Sequence, residues 1–309
     1  MCILRSSFVV GVFLPVVLVV NSAMAAGDAE TVHFSVACDM QEEQTQELTS
    51  FLEGAHAKFF DFFAQSGFNL DVPTDKLNWV CFDSSSRFDN YISQTEKMDL
   101  SWLTSYYSAK TNRVAILLPP VRLNPRYVAY DANAAGNIMA AVTDSNTDHM
   151  LQIAHELAHQ LAFNCGLQKR GVMYPLWVSE GLATALETQL CRHPSVDRGQ
   201  QLTKMRNAGR LIPLEKFVSI TRLPADTSMH KYVYAQSQAL FCFLLKQYPN
   251  EFKIYLKNIH ELNPGRRSDD TIRLEFIQVF GTISRLDKEW LAYTSSAYNG
   301  LITSAETAK

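Results

Sequence analysis

The spacing of apolar residues changes along the chain, from short runs to a helical period, at about residue 145. Before that point, apolar runs predict strands over residues 33–36, 77–82 and 113–118. The Tyr106-Tyr107 pair and the turn at residues 110–112 predict a hairpin with the last of these strands. Amphipathic spacing predicts two helices among the strands, over residues 48–63 and 88–92.

Beyond that point the pattern is helical throughout. Helices are predicted over residues 146–163, 175–190, 232–248, 271–280 and 286–293. Gly166 and Pro175 mark the end of the first and the start of the second. The sequence therefore predicts an α+β fold, with a small N-terminal mixed sheet and helices over residues 26–145 and a mainly α-helical part over residues 146–309.

Residues 1–25 have the features of a cleaved signal peptide. Arg5 precedes an apolar run over residues 8–20, and Ala23-Met24-Ala25 is a small-x-small cleavage signal. The run is shorter than the roughly 20 apolar residues that a membrane-spanning helix needs. We therefore expect an exported protein, periplasmic or secreted, without stable membrane insertion after cleavage. An uncleaved anchor is the alternative.

Composition narrows the classes of partner. The 28 Lys and Arg against 31 Asp and Glu give a net charge of −3, so the chain has no overall basic field that would hold nucleic acid. The cysteines beyond the signal peptide are Cys38, Cys81, Cys165, Cys191 and Cys242. Their odd number leaves at least one unpaired within the chain. Cys38 and Cys81 are candidates for neighbours in the sheet.

The candidate chemistry begins with His155-Glu156-Leu157-Ala158-His159, inside a predicted helix. The i, i+4 spacing puts both imidazoles on one face, close enough to share one tetrahedral ion. Glu156 lies about 100° round the helix, where it can reach a water in an open coordination position and act as general base. A helix with incidental histidines is the alternative.

A third ligand, Glu180, is offered by the next predicted helix, within the segment Trp177-Val178-Ser179-Glu180-Gly181-Leu182-Ala183. If this helix runs antiparallel to the first, it can lay the Glu180 carboxylate across both imidazoles. Two His and one Glu are the protein ligands of a catalytic site for one Zn²⁺, with water in the fourth position. A structural zinc or a decayed site is the alternative, although a closed structural site has four protein ligands.

Together these segments resemble the gluzincin metallopeptidases, and most closely the exported bacterial peptidase MA-like group, a domain of unknown function with a Trp-x-x-Glu-Gly-x-Ala signature. Aminopeptidase N and thermolysin are more distant in this resemblance, which covers roughly residues 105–295. It implies a gluzincin-like zinc-binding part. Within residues 234–240 it identifies Tyr234 as the hydroxyl that stabilises a tetrahedral oxyanion. Packing at a helix start is the alternative for Tyr234.

The resemblance also implies an edge strand beside the zinc helix that pairs with an extended substrate, and residues 113–118 are the candidate. Residues 136–140 lack the glutamate with which aminopeptidases hold a substrate amino terminus. Ser179 and Thr184 replace an Asn and an Asp that flank the third ligand in thermolysin. Thr184 is a candidate to orient a ligand imidazole, although a helical Thr more often bonds its own backbone.

The sequence therefore predicts an exported zinc-dependent peptidase, a hydrolase that cleaves a peptide or protein substrate with a metal-activated water and Glu156 as general base. The first alternative is a catalytically idle gluzincin-fold protein that binds envelope proteins or peptides. The second is hydrolysis of a non-peptide amide by the same chemistry. The presence of Glu156 favours an enzyme, because a binding protein needs no base beside the metal.

Overall fold

The computed structural model describes residues 27–96, 103–118, 145–190 and 198–306, with backbone only for residues 145–148 and 296–306. The predicted signal peptide, residues 136–140 and Cys191 lie outside the described residues. Among the described residues no helix combines the length and the apolar character that crossing a membrane requires.

A five-stranded mixed sheet forms the N-terminal part. Its strands are β1 (Ala29–Glu30), β2 (Phe34–Cys38), β3 (Leu77–Phe82), β4 (Ser105–Ser108) and β5 (Arg113–Leu117). The order across the sheet is β1-β2-β3-β5-β4, in which the three central strands are parallel and each outer strand is antiparallel to its neighbour. Cys38 lies directly opposite Cys81 on the adjacent strand, so the expectation that these two are neighbours is confirmed.

The hairpin predicted near residue 110 is confirmed, since β4 pairs antiparallel with β5 and Tyr107 lies opposite Val114. The expectation that residues 113–118 form the edge strand is wrong. β5 lies inside the sheet between β3 and β4, and Val114, Ala115 and Ile116 are all buried. A strand covered on both faces carries a continuous apolar run, which is why this segment gave the strongest strand signal. Among the described strands, β4 takes the outer position beside it.

Ten α-helices lie within the described ranges. They are α1 (Glu42–Gln65), α2 (Ser85–Thr95), α3 (Ser145–Asn164), α4 (Leu176–Leu190), α5 (Arg198–Asn207), α6 (Leu214–Phe217), α7 (His230–Gln247), α8 (Pro249–His260), α9 (Asp269–Phe280) and α10 (Ile283–Glu306). Every helix predicted from the sequence is present, and with the sheet they confirm the α+β class. The sequence pattern did not predict α5, α6 or α8, and it predicted only residues 286–293 of α10.

One continuous apolar core joins the sheet to the helices. Helix α3 is central to it, since α3 packs against β4, β5, α1 and α4. Helix α4 packs in turn against α7. The Trp177 ring on α4 stacks on Tyr255 and meets Phe276 edge to face, which anchors α4 to the C-terminal helices. The packing therefore holds α3 and α4 face to face.

Candidate metal centre

Helix α3 directs both histidines toward α4. Its apolar residues Ile153, Ala154 and Leu157 are fully buried and fix the rotation of the helix about its axis. His155 and His159 follow each other by one turn, and their Nε2 atoms lie 3.1 Å apart. Their side chains are 17% and 15% exposed, so both rings are mostly buried and still reachable from solvent.

Helix α4 brings Glu180 to the same point. Its Oε2 lies 3.2 Å from His155 Nε2, and its Oε1 lies 3.7 Å from His159 Nε2. Gly181 makes the approach of α4 to α7 possible, because a Cβ at this position would lie 2.6 Å from the carbonyl oxygen of Ser237. The sequence prediction that α4 lays Glu180 across the two imidazoles therefore agrees with this arrangement.

The geometry of the three side chains fits a metal ion. Their ligand atoms all lie within 4.8 Å of one another, and no other group of this kind occurs among the described residues. Bonds of 2.0–2.1 Å in a tetrahedral site separate neighbouring ligand atoms by about 3.3 Å. The 3.1 Å between the two Nε2 atoms and the 3.2 Å between His155 Nε2 and Glu180 Oε2 are close to that spacing, and the 3.7 Å contact of His159 Nε2 is with the other carboxylate oxygen, Oε1. Three protein ligands leave one position of a tetrahedral site for water or substrate.

The electrostatics of this cluster also favour a cation. Burial opposes a charge on His155, but hydrogen bonds to Glu180 and Glu187 outweigh it and raise the pKa of His155 well above 6.5. Burial likewise opposes a charge on Glu180, but the charge of His159 and hydrogen bonds from both histidines lower its pKa. Positive charge is therefore stabilised between these carboxylates, and a divalent cation can take the place of the protons.

Glu156 follows the candidate ligand His155 in sequence and is not part of the candidate ligand group. It is 7% exposed, and its Oε1 accepts a hydrogen bond of 2.8 Å from the hydroxyl of Ser105 on β4. Within the described part of the chain, Oε2 has no such partner. The sequence predicts a general base that reaches a water in the open coordination position without binding the metal, and Glu156 is not among the grouped ligand atoms.

Tyr234 lies on α7, and its ring centroid is 6.1 Å from that of His155 with the rings at 76°. Burial raises the pKa of Tyr234, and the charges of Glu180 and Glu156 raise it further. The phenol therefore keeps its proton over the physiological range and is available as a hydrogen-bond donor. The residue that the resemblance identified is thus brought next to the ligand group.

Thr184 does not orient an imidazole. Its hydroxyl donates to the backbone carbonyls of Glu180 and Gly181, at 2.6 and 3.2 Å. This is the alternative given by the sequence, in which a helical Thr bonds its own backbone. The carboxylate that contacts His155 Nδ1, at 2.6 Å, belongs to Glu187. Sequence reasoning missed Glu187. The available signal was its spacing of seven residues from Glu180, which puts both carboxylates on one face of α4.

A family model described as a protein of unknown function, DUF1570, matches residues 149–265. This segment contains all three candidate ligands together with Glu156, Glu187 and Tyr234. No curated protein matches the chain. The comparisons therefore assign a domain of unknown function to the part of the chain that holds the cluster.

Proposed function

We propose that this protein is an exported zinc-dependent peptidase. The observation that carries the proposal is the separation of roles around one point: His155, His159 and Glu180 converge as ligands, while Glu156 lies beside them with a carboxylate oxygen to spare. A purely structural metal site needs no such second carboxylate. When bound, a zinc ion supplies Lewis acidity that polarises a carbonyl and makes water more acidic.

Glu156 is proposed as the general base. The Ser105 hydroxyl donates to Oε1 and restrains the carboxylate, which leaves Oε2 to accept a proton from a water held at the site. The same carboxyl group can then return the proton to the leaving amine. Its low exposure keeps bulk water from competing for that proton.

Tyr234 is proposed as the donor to the oxyanion. The carbonyl oxygen gains negative charge only as the tetrahedral intermediate forms, so a phenol hydroxyl aimed at it stabilises the transition state more than the bound substrate. The placement of Tyr234 on α7, near the His155 ring, supports this role. Helix α7 is held at that distance by its packing on α4.

Strand β4 is the proposed contact for the substrate backbone. It is one of the two outer strands among the described residues, and its first residue, Ser105, is hydrogen-bonded to Glu156. An extended peptide that pairs with β4 would run past the base and the ligand cluster. This proposal moves the substrate strand from β5, where the sequence placed it, to β4. Export is proposed from the signal-peptide pattern of residues 1–25.

The test is a peptide-library digest with wild type and Glu156→Gln, paired with zinc analysis. The amide keeps the shape of the carboxylate but takes no proton, so we expect about one zinc per chain in both proteins and cleavage by wild type alone. Glu261→Gln, which changes an exposed carboxylate just after the end of α8, is the matched control and should cleave like wild type.

Two outcomes would contradict the proposal. Equal cleavage by Glu156→Gln and wild type would remove Glu156 from the mechanism. Peptide binding without cleavage by either protein would favour the idle binding protein instead.

A further inference from the structure

Glu187 and Arg198 form an ion pair directly behind the candidate metal centre. The Nη2 of Arg198, the first residue of α5, lies 2.6 Å from Oε2 of Glu187, and Oε1 of Glu187 lies 2.6 Å from His155 Nδ1. The Glu187 side chain is 4% exposed and that of Arg198 is 16% exposed. A chain of contacts thus runs from α5 through α4 to a ligand on α3.

We propose that Glu187 and Arg198 act together as positioning residues that set the metal affinity of the His155 site. This inference rests on the metal centre of the proposed function, but not on peptidase activity. It adds a third helix, α5, to the two that supply the ligands.

The role of Glu187 follows from the chemistry of imidazole. His155 faces Glu180 and His159 with Nε2, and this nitrogen must be free of its proton to bind a metal. The remaining proton then lies on Nδ1, where Glu187 accepts its hydrogen bond. This contact fixes both the tautomer and the ring orientation, and it makes the ligand nitrogen a stronger donor to a cation.

The role of Arg198 follows from the burial of Glu187. A carboxylate withdrawn from water is costly unless a cation compensates it, and Arg198 supplies that cation. The Arg198 guanidinium lies against Oε2, and in this setting of the carboxylate Oε1 is directed at His155. A buried ion pair of this kind adds little to stability compared with apolar residues of similar size. Its expected contribution is therefore to geometry.

The chain offers a matched control for a buried arginine. Arg267 pairs with Glu275 on α9, and its side chain is 12% exposed, close to the value for Arg198. Arg267 also donates to the backbone carbonyl of Met173 and has no contact with the ligand group. Replacing it therefore removes a buried ion pair without changing the surroundings of His155.

The experiment measures the zinc dissociation constant of the metal-free protein by competition with a chromophoric chelator, with the melting temperature of each metal-free protein recorded alongside. Glu187→Gln should weaken zinc binding by roughly 10–100-fold, the usual effect of losing an outer partner of a ligand. Arg198→Met should weaken it by about 10-fold, and Arg198→Lys, which keeps the charge, should restore part of the loss. Arg267→Met should lower the melting temperature and leave zinc affinity unchanged.

The double variant, Glu187→Gln with Arg198→Met, leaves no unpaired buried charge and carries the test if a single variant fails to fold. It should bind zinc as weakly as Glu187→Gln alone, because the two residues act through one contact. Zinc affinities of these variants within about 2-fold of wild type would overturn the inference while leaving the metal centre intact, since the expected losses begin at about 10-fold. A wild type that takes up no zinc would overturn the metal centre itself.

Discussion

Helix α3 presents two polar faces, and they contact different parts of the molecule in different ways. On the ligand face, His155 and His159 point toward α4 and meet a carboxylate. About 100° further round the helix, a polar stripe at i, i+4 spacing points toward the hairpin of β4 and β5. The polar stripe consists of Gln152, Glu156, Gln160 and Asn164.

Each residue of the polar stripe meets a partner of complementary kind. Gln152 donates to the hydroxyl of Thr104 at 3.0 Å, and the amides of Asn164 and Asn112 bond each other at 2.8 and 2.9 Å. On the ligand face, by contrast, three atoms that can all act as acceptors converge on one point. A donor and an acceptor that face each other satisfy each other's hydrogen-bonding capacity, whereas converging acceptors need a proton or a metal ion between them.

The largest expected effect, on zinc affinity, comes from a substitution that changes only the ligand face. His159→Ala removes one of three ligands, so zinc affinity should fall by more than the roughly 100-fold that outer contacts contribute. The measurement is chelator competition on the metal-free protein. Gln160→Met, which changes the next residue in sequence, about 100° further round the helix, should bind zinc like wild type. Wild-type affinity in His159→Ala would show that this histidine is not a ligand.

The fold was predictable where one face of an element is apolar. The runs at residues 77–82 and 113–118 gave strands with those bounds within a residue, because buried strands carry continuous apolar sequence. Helix α5 was missed because its sequence, RGQQLTKMRN, is mostly polar and buries only Leu202 and Met205. Helix α8 was missed because Pro249 was taken as the end of α7, whereas it begins α8 at a position that tolerates proline.

The candidate site was predictable where it depends on spacing within one helix. His155, Glu156 and His159 have fixed directions on α3. The prediction of Glu180 as a third ligand needed only one further assumption, that α4 runs back beside α3. Glu187 was not predictable in the same way, because its contact with His155 depends on how α3 and α4 pack over two turns. Sequence periodicity shows which residues share a face but not which turn of the neighbouring helix they meet.

The next largest expected effect is on kcat, and it tests whether the residues around the two faces of α3 cooperate in catalysis. Tyr234 approaches from the α7 side and Glu156 belongs to the polar stripe, so the proposed base and the proposed oxyanion donor reach the substrate from different directions. Tyr234→Phe should lower kcat by roughly 100-fold or more, with KM and zinc content little changed. Steady-state kinetics on a peptide found in the library digest would measure this.

Tyr232→Phe is the matched control for the tyrosine, since Tyr232 lies two residues earlier on α7 and its ring is covered by the ammonium of Lys231. It should keep the wild-type kcat. An unchanged kcat in Tyr234→Phe would remove Tyr234 from the mechanism. Loss of folding or of zinc in that variant would instead support a packing role for the ring.

The smallest expected effect, on the free energy of unfolding, comes from a substitution in the polar stripe that leaves the candidate ligands unchanged. Gln160 is fully buried, accepts a hydrogen bond from the indole of Trp79 at 2.8 Å and donates to the backbone carbonyl of Asn112 at 3.3 Å. Gln160→Met keeps the length of the side chain but leaves the indole N–H without a partner, so the free energy of unfolding should fall by about 1–3 kcal/mol. Denaturant unfolding of the metal-free protein measures this. In a Trp79→Phe background the same change should cost much less, because the stranded donor is gone. An equal cost in both backgrounds would mean that Gln160 stabilises the protein by some contact other than its hydrogen bond with Trp79. The contrast between the two faces of α3 would then rest on the ligand face alone.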